Sequence, residues 1–297
     1  MAYIQGVMII ICVNLMGVLG VSLLTGFTGM FSFGHAAYMA LGAYTSAILV
    51  GRLGMPFVVG LLAAAAFAAL ASVIIGYPTV RLVGDYFAIA ALGFGEATRL
   101  ILDNGGSLTG GARGFVGVPK HTTLPIAILI VVLGAILMRN IINSRFGRSF
   151  VAIREDKLAA EAMGINTARL RMLSLAISAA YAGVAGSMFA HYLTFLQPVM
   201  FDINKSTEFA ATVVFGGLGS MTGSIIACII LTSIPEIFRP FYLWRMVFYG
   251  LALVTTIVLR PQGLLGSFEI TFEGIRRFFA TPFRRRVSAG GGARWQS

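Results

Sequence analysis

The sequence predicts an all-α polytopic membrane protein of about nine (8–10) transmembrane helices, some of them broken or re-entrant. Composition is the first reason. Of 297 residues, 58% are hydrophobic and only 11% are charged, where a soluble domain carries about 25% charged residues. The second reason is segregation of the charges. No Asp, Glu, Lys or Arg precedes Arg52, and charge-free windows recur at Leu53–Val80, His121–Met138, Met172–Phe201, Phe209–Pro235 and Met246–Leu259. A bilayer core takes about 20 apolar residues per helix. Most windows therefore hold one span, and the first and fifth hold two short or broken ones. A water-soluble enzyme, a disordered chain and a disulfide scaffold are excluded. Cys12 and Cys228 both sit in apolar runs and read as small core fillers, with no metal-ligand or disulfide spacing.

Taken in order, the spans are expected near residues 7–25, 36–51, 57–80, 86–102, 122–139, 172–195, 206–218, 221–237 and 241–260. The N-terminal run has no basic n-region and leads straight into further spans, so it reads as a first crossing and not as a cleaved leader. Residues 1–266 form the transmembrane domain, with a central cytoplasmic loop at about 140–171. Residues 267–297 form a cytoplasmic, Arg-rich tail. Within it Phe268, Phe272, Ile275 and Phe279 fall at helical spacing, with Glu269, Glu273, Arg276 and Arg277 opposite. Such a segment lies on membrane lipid, helped by Arg284, Arg285 and Arg286; a frayed tail is the alternative, and the end from Ser288 reads as disorder.

Orientation follows from the bias of Lys and Arg. With nine crossings and a cytoplasmic C-terminus, the inner face receives fifteen of them and the outer face seven: Arg52, Arg99, Arg113, Lys120, Lys205, Arg239 and Arg245. One long crossing over 206–237 would put the Arg-rich tail and the Arg-rich central loop on opposite faces. Two short crossings, or a re-entrant pair, are preferred. The net charge of +11 is thus a matter of membrane topology, and no nucleic-acid partner is expected.

Two stretches carry glycine and hydroxyl residues where a membrane helix should be continuous. The first contains Gly26, Thr28, Gly29, Ser32, Gly34 and His35; the second contains Gly216, Gly217, Gly219, Ser220 and Gly223. Glycine weakens a helix by about 1 kcal/mol relative to alanine, and freed backbone groups at membrane depth need protein or a water-filled path beside them. Paired breaks in the two halves of a chain point to a transport pathway and to a possible internal repeat. Small-residue packing, as in Gly219-xxx-Gly223, is the competing explanation of each break. The run Ser178, Ala179, Ala182, Gly183, Ala185, Gly186 and Ala190 reads as a close-packing face.

Glu96 and Arg99 are three apart on one expected helix and form an intramembrane ion pair. His35 and His191 have no second ligand at metal-binding spacing, so no metal is expected. The chain contains no Gly-Lys pair, which excludes a Walker A phosphate loop. No cofactor is expected on this chain, and any ATP is used by partner subunits.

The central loop carries Arg154, Glu155, Asp156, Leu158, Ala159, Ala160, Met163 and Gly164. Ala, Glu and Leu favour helix, Gly164 suits the residue after a helix end, and Asn166 or Thr167 caps the next helix. The expectation is one short helix, a glycine turn and a second helix entering the membrane. Leu158, Ala159, Ala162 and Met163 give a small apolar ridge fit for a partner's groove.

This segment resembles the cytoplasmic EAA loop of ABC importer permeases, whose pattern is Glu-Ala-Ala, three residues, Gly. Ala159, Ala160 and Gly164 match, while Leu158 stands where the pattern has Glu. Further stretches, Gly26 to Tyr44, Arg81 to Ala90, Gly93 to Glu96, Ala152 to Asp156, Glu161 to Asn166 and Arg260 to Gly266, are similar to the LivM branch of the branched-chain amino acid permeases. That resemblance implies an importer of two homologous permeases, the partner being LivH-type, with two ABC ATPase subunits on the cytoplasmic face and an extracytoplasmic substrate-binding protein. Permeases of urea and amide importers are similar and remain an alternative. An ion-coupled carrier is a second one. It would be expected to show a chain of intramembrane carboxylates or histidines, whereas this sequence offers only Glu96 with Arg99 beside it.

Overall fold

A computed structural model describes residues 2–82 and 84–237, together with 250–251, 254–255, 258 and 263–264. The helices are α1 (Ala2–Val21), α2 (His35–Gly51), α3 (Phe57–Thr79), α4 (Asp85–Asp103), α5 (Gly106–Thr109), α6 (Leu124–Asn143), α7 (Arg145–Glu155), α8 (Lys157–Ala162), α9 (Thr167–Leu193), α10 (Ile203–Gly216) and α11 (Met221–Ile237). α1 runs on into a π-helical turn, Ser22–Phe27. Among the described residues, four segments are long and apolar enough to cross a membrane by length and composition: Tyr3–Phe27, Phe57–Thr79, Leu124–Asn143 and Thr167–Leu193. The expected span at 241–260 and the tail from 267 lie outside the described residues.

Contacts between loops sort the helix ends into two groups. At one end the antiparallel pair β1 (Phe115–Val116) and β2 (Phe195–Leu196) joins the loops after α4 and α9. There Arg52 also donates to the Ser107 carbonyl, and His191 bonds the Pro119 carbonyl at 2.8 Å. At the other end Arg171 Nη2 donates to the Leu82 carbonyl at 3.2 Å, and Arg154 Nη1 donates to the Gly26 carbonyl at 2.7 Å. α1, α2, α3, α4, α6, α9, α10 and α11 therefore alternate in direction along the chain.

The core is built around α9, which packs on α1, α2 and α3. Small residues make this possible. A Cβ added at Gly183 would stand 2.5 Å from the Ala64 carbonyl oxygen and 2.8 Å from the Ala68 Cβ, so α3 and α9 touch backbone to backbone. Buried hydroxyls and imidazoles then tie the helices together. His35 Nε2 lies 2.7 Å from Ser178 Oγ, which itself donates to the Gly20 carbonyl at 2.6 Å; His191 Nε2 lies 3.0 Å from Ser46 Oγ. Hydrogen bonds between membrane helices contribute about 0.6 kcal/mol each on average, so this lattice orders the helices more than it binds them. α3 and α6 turn Leu62, Leu70, Ile74, Leu129 and Leu137 outward, as helices do that face hydrocarbon.

The central loop differs from expectation in one respect. A single helix is expected up to Gly164, and two are found, because the Asp156 carboxylate accepts from the Leu158 and Ala159 N–H groups at 2.8 and 3.0 Å. That side chain satisfies backbone donors at a helix start, so the chain restarts as α8. Asn166 does the same for α9, accepting from Arg169 N–H at 3.0 Å.

Candidate functional site

Both glycine-rich breaks interrupt helices where the sequence suggests. In the first, the π-turn leaves carbonyls without α-helical partners. Thr28 answers with its N–H and its hydroxyl, both donating to the Leu23 carbonyl at 3.1 Å, and the Thr25 hydroxyl donates to the Met30 carbonyl at 3.2 Å. Non-helical backbone at this depth persists because such local donors restore the lost bonds. In the second, α10 stops at Gly216 and α11 starts at Met221, with Ser220 Oγ accepting from Gly223 N–H at 3.0 Å. The Leu264 N–H donates to the Phe215 carbonyl at 2.9 Å, which brings the last stretch of the family resemblance to this same end.

The two breaks meet. A Cβ on Gly26 would lie 3.0 Å from Gly219 N, although the two residues are far apart in sequence. Into this meeting point reaches Arg154, from the last turn of α7. Its Nη1 donates to the Gly26 carbonyl at 2.7 Å, and its Nε and Nη2 donate to Glu155 Oε1 at 3.1 and 2.6 Å. Gly29 and Gly219 have φ of +73° and +89°, where only glycine rests without strain. A Cβ on Gly29 would stand 2.9 Å from Arg154 Cγ, and one on Gly219 would stand 2.6 Å from Arg154 Nη1. The Arg154 side chain thus ties the central loop to the first break by a hydrogen bond and lies against Gly219 of the second. Behind it Phe150 and Ile153 are buried and fix α7 against the helices.

The remaining candidates distribute around this joint. Gly216 and Gly223 pack against each other across the α10–α11 turn, and Gly217 takes φ +112°. Gly34 lies against the backbone of α4 at Ala91, and Ser32 Oγ accepts from Gly34 N–H at 3.2 Å. His35 is fully buried and points at Ser178 of α9. Glu96 and Arg99 lie 2.8 Å apart within α4, with about a third of each side chain exposed. On the loop itself Leu158 and Met163 are 75% and 83% exposed, beside exposed Ala159 and Ala162, while Ala160 is buried. The outward ridge therefore consists of Leu158, Ala159, Ala162 and Met163, and Ala160 packs inward beneath it. Gly164 has φ +80° and closes the turn into α9. Among the described residues no three His, Cys, Asp or Glu side chains gather as metal ligands.

Sequence reasoning missed a second polar centre. At the opposite end of α10, Lys205 Nζ donates to Asn14 Oδ1 and to Glu208 Oε2, both at 2.9 Å, and Asn14 Nδ2 donates to Thr232 Oγ1 at 3.3 Å. The i, i+3 spacing that singles out Glu96 and Arg99 was equally present in Lys205 and Glu208.

The sequence profile of the branched-chain amino acid transport system / permease component family matches residues 3–258. The chain belongs to that family. The permease is 34% identical over 281 residues to the high-affinity branched-chain amino acid transport system permease protein LivM of Escherichia coli, covering 83% of this chain and 66% of the relative. It is 30% identical to the corresponding permease protein LivH of E. coli, covering 85% of this chain and 91% of the relative. A probable LivM of Methanocaldococcus jannaschii is 25% identical over 215 residues, covering 63% of this chain and 62% of the relative. The permease thus spans about two-thirds of the length of the bacterial LivM that it matches. No solved structure matches it significantly. With its apolar helices, the permease is an integral membrane protein of a transport family, not an enzyme.

Proposed function

We propose that this chain is one permease subunit of an ATP-driven importer that carries branched-chain or related neutral amino acids across the cytoplasmic membrane of a bacterium or archaeon. The observation that carries the reading is the Arg154 joint, which connects an exposed loop directly to the two helix breaks. The alternating helices serve as eight crossings and 241–260 as the ninth, which puts the Arg154 end, with its excess of Lys and Arg, and the C-terminus in the cytoplasm. The partners are a LivH-type permease, two ATPase subunits and an outer binding protein. The solute follows from the names of the relatives, LivM and LivH.

On this reading α7 and α8 dock on an ATPase through Leu158 and Met163. Burying a large apolar side chain gains about 1.5–3 kcal/mol, so two of them make a firm contact. The double variant Leu158→Glu, Met163→Glu should cut ATPase retention on the purified permease pair by at least about tenfold, since about 1.4 kcal/mol is tenfold in affinity. A cysteine in place of Met163 should react with an impermeant thiol reagent only from the cytoplasmic side; reaction from outside intact cells would overturn the topology and the docking role together. The whole reading is tested by purification in mild detergent, scoring which ATPases and second permease accompany the chain, followed by vesicle uptake of leucine. Uptake should require ATP, and uptake driven by a proton or sodium gradient without ATP would refute it.

A further inference from the structure

The polar centre missed by sequence reasoning lines a cavity of about 670 Å³ between α1, α10 and α11, within the range of about 300–1,000 Å³ usual for small-molecule sites. Its lining mixes polar side chains, Asn14, Asp202, Lys205, Glu208 and Thr232, with apolar ones, Ile10, Met200, Ala211 and Leu231. Lys205 is mostly buried, with its side chain 18% exposed. Its ammonium is held by Asn14 Oδ1 and Glu208 Oε2 and stands 5.1 Å from the centre of the Phe209 ring. Asp202 accepts from Lys205 N–H at 3.1 Å, which starts α10 and keeps the second carboxylate in the same wall. Charged side chains among apolar helices are costly, and where they face a cavity they mark solute or ion routes.

From this juxtaposition we infer that the cavity is a binding site for an amino acid, its zwitterionic head at Lys205 and Glu208 and its apolar side chain against Ile10, Met200 and Leu231. This rests on the importer reading above and specifies its solute contacts. The solute carboxylate takes the place of Glu208 at the Lys205 ammonium, and the solute ammonium lies between Glu208 and Asp202. One internal ion pair is exchanged for two, and no charge is left alone. A solute without the carboxylate leaves Lys205 and Glu208 paired and reaches Asp202 alone, so it gains one charged contact where an amino acid gains two. A solute without the amine displaces Glu208 and leaves it with no cation, which carries the full cost of an unpaired charge in a poorly solvated place. The site thus asks for both charges at once and for an aliphatic body beside them. Because the protein's own pair closes again when the solute departs, binding stays weak enough for release.

The test uses the importer purified with its partner permease and ATPases, in a Cys12→Ala, Cys228→Ala background carrying Ala211→Cys on the cavity wall. A small thiol reagent should label this cysteine, and millimolar L-leucine should slow the reaction several-fold, whereas leucinamide should slow it less and isovalerate should not. Lys205→Met and Glu208→Gln should each raise the leucine concentration needed for protection by at least about tenfold, because each removes one partner of a charge pair that the solute needs. Labelling unaffected by leucine, slowed equally by all three compounds, or absent altogether would overturn the site. Reconstituted vesicles of the same preparation separate the two readings. ATP-driven leucine uptake without protection removes the cavity site alone, and protection without ATP-driven uptake keeps the site and removes the importer reading.

Discussion

Replacing Arg154 with alanine should sharply lower ATP-driven leucine uptake while leaving the assembled importer intact and its ATPase running. The side chain holds the Gly26 carbonyl at 2.7 Å from one guanidinium nitrogen and Glu155 from two others. Hydrogen bonds to charged groups contribute about 1.5–3 kcal/mol, so losing the tie to Gly26 should lower uptake per ATP hydrolysed by roughly ten- to a hundredfold. Assembly should survive, because α7 is anchored separately by buried Phe150 and Ile153 and the docking ridge lies one helix further on. Arg154→Lys should recover little. A lysine is a single point charge and lacks the planar fork that grips Glu155 and Gly26 together. The same joint can be blocked from the other side. Gly29→Leu and Gly219→Leu each force a side chain toward Arg154 at a positive φ, and both should lower uptake with assembly retained. Normal transport by all of these variants would show that the joint is only packing.

Gly183→Leu should have the larger effect on the protein itself, preventing recovery of a folded chain. At this position α9 is in contact with α3 on one side, where a Cβ would stand 2.5 Å from the Ala64 carbonyl oxygen, and with Gly42 of α2 on the other. Overpacking a core costs about 1–3 kcal/mol when neighbours can shift. Here the nearest obstruction is the backbone of α3, and relief would require α9 to part from α3 while Gly42 of α2 leaves it no room for a side chain on its own face. That separation would also strain the Ser46–His191 contact of 3.0 Å at the far end of α9. Gly93→Leu is the control. Nothing lies within 4 Å of a Cβ there, and removing a helical glycine gains up to about 1 kcal/mol. In detergent its melting temperature should match or exceed the parent's, whereas Gly183→Leu should give no monodisperse peak. A melting curve for Gly183→Leu close to the parent's would refute the close-packing account.

Helix positions were largely readable from charge-free windows and glycine punctuation. α3 was expected over 57–80 and runs Phe57–Thr79, and α11 runs Met221–Ile237 against an expected 221–237. Hydrophobicity writes such segments locally, residue by residue. Asp156 is equally local: a carboxylate directly before an Ala- and Glu-rich run is a start signal for a new helix, and it restarts the chain as α8. The inward turn of Ala160 has a different cause: which face of a short helix is covered depends on what lies beneath it, and composition is silent on that. Least readable was the partner of Arg154. In sequence the residue stands out only as a member of the central loop and of the stretch Ala152 to Asp156, with nothing to show what its side chain holds. Its role comes from meeting Gly26, 128 positions away, and no local pattern encodes such a meeting.

The brevity of α10 bears on how far a solute has to travel through low dielectric. Its fourteen residues, Ile203–Gly216, make a rod of about 21 Å at 1.5 Å per residue, against a hydrocarbon thickness of about 30 Å. Laid across a bilayer, the rod falls short by roughly a third, so at least one end sits below the headgroups, with the charged cavity at one tip and the glycine joint at the other. Polar groups at those depths draw water inward from the two surfaces. On the importer reading, the dehydrated stretch facing the solute is then set by the length of α10 and not by the thickness of the lipid, which thins the dielectric barrier by about the same third.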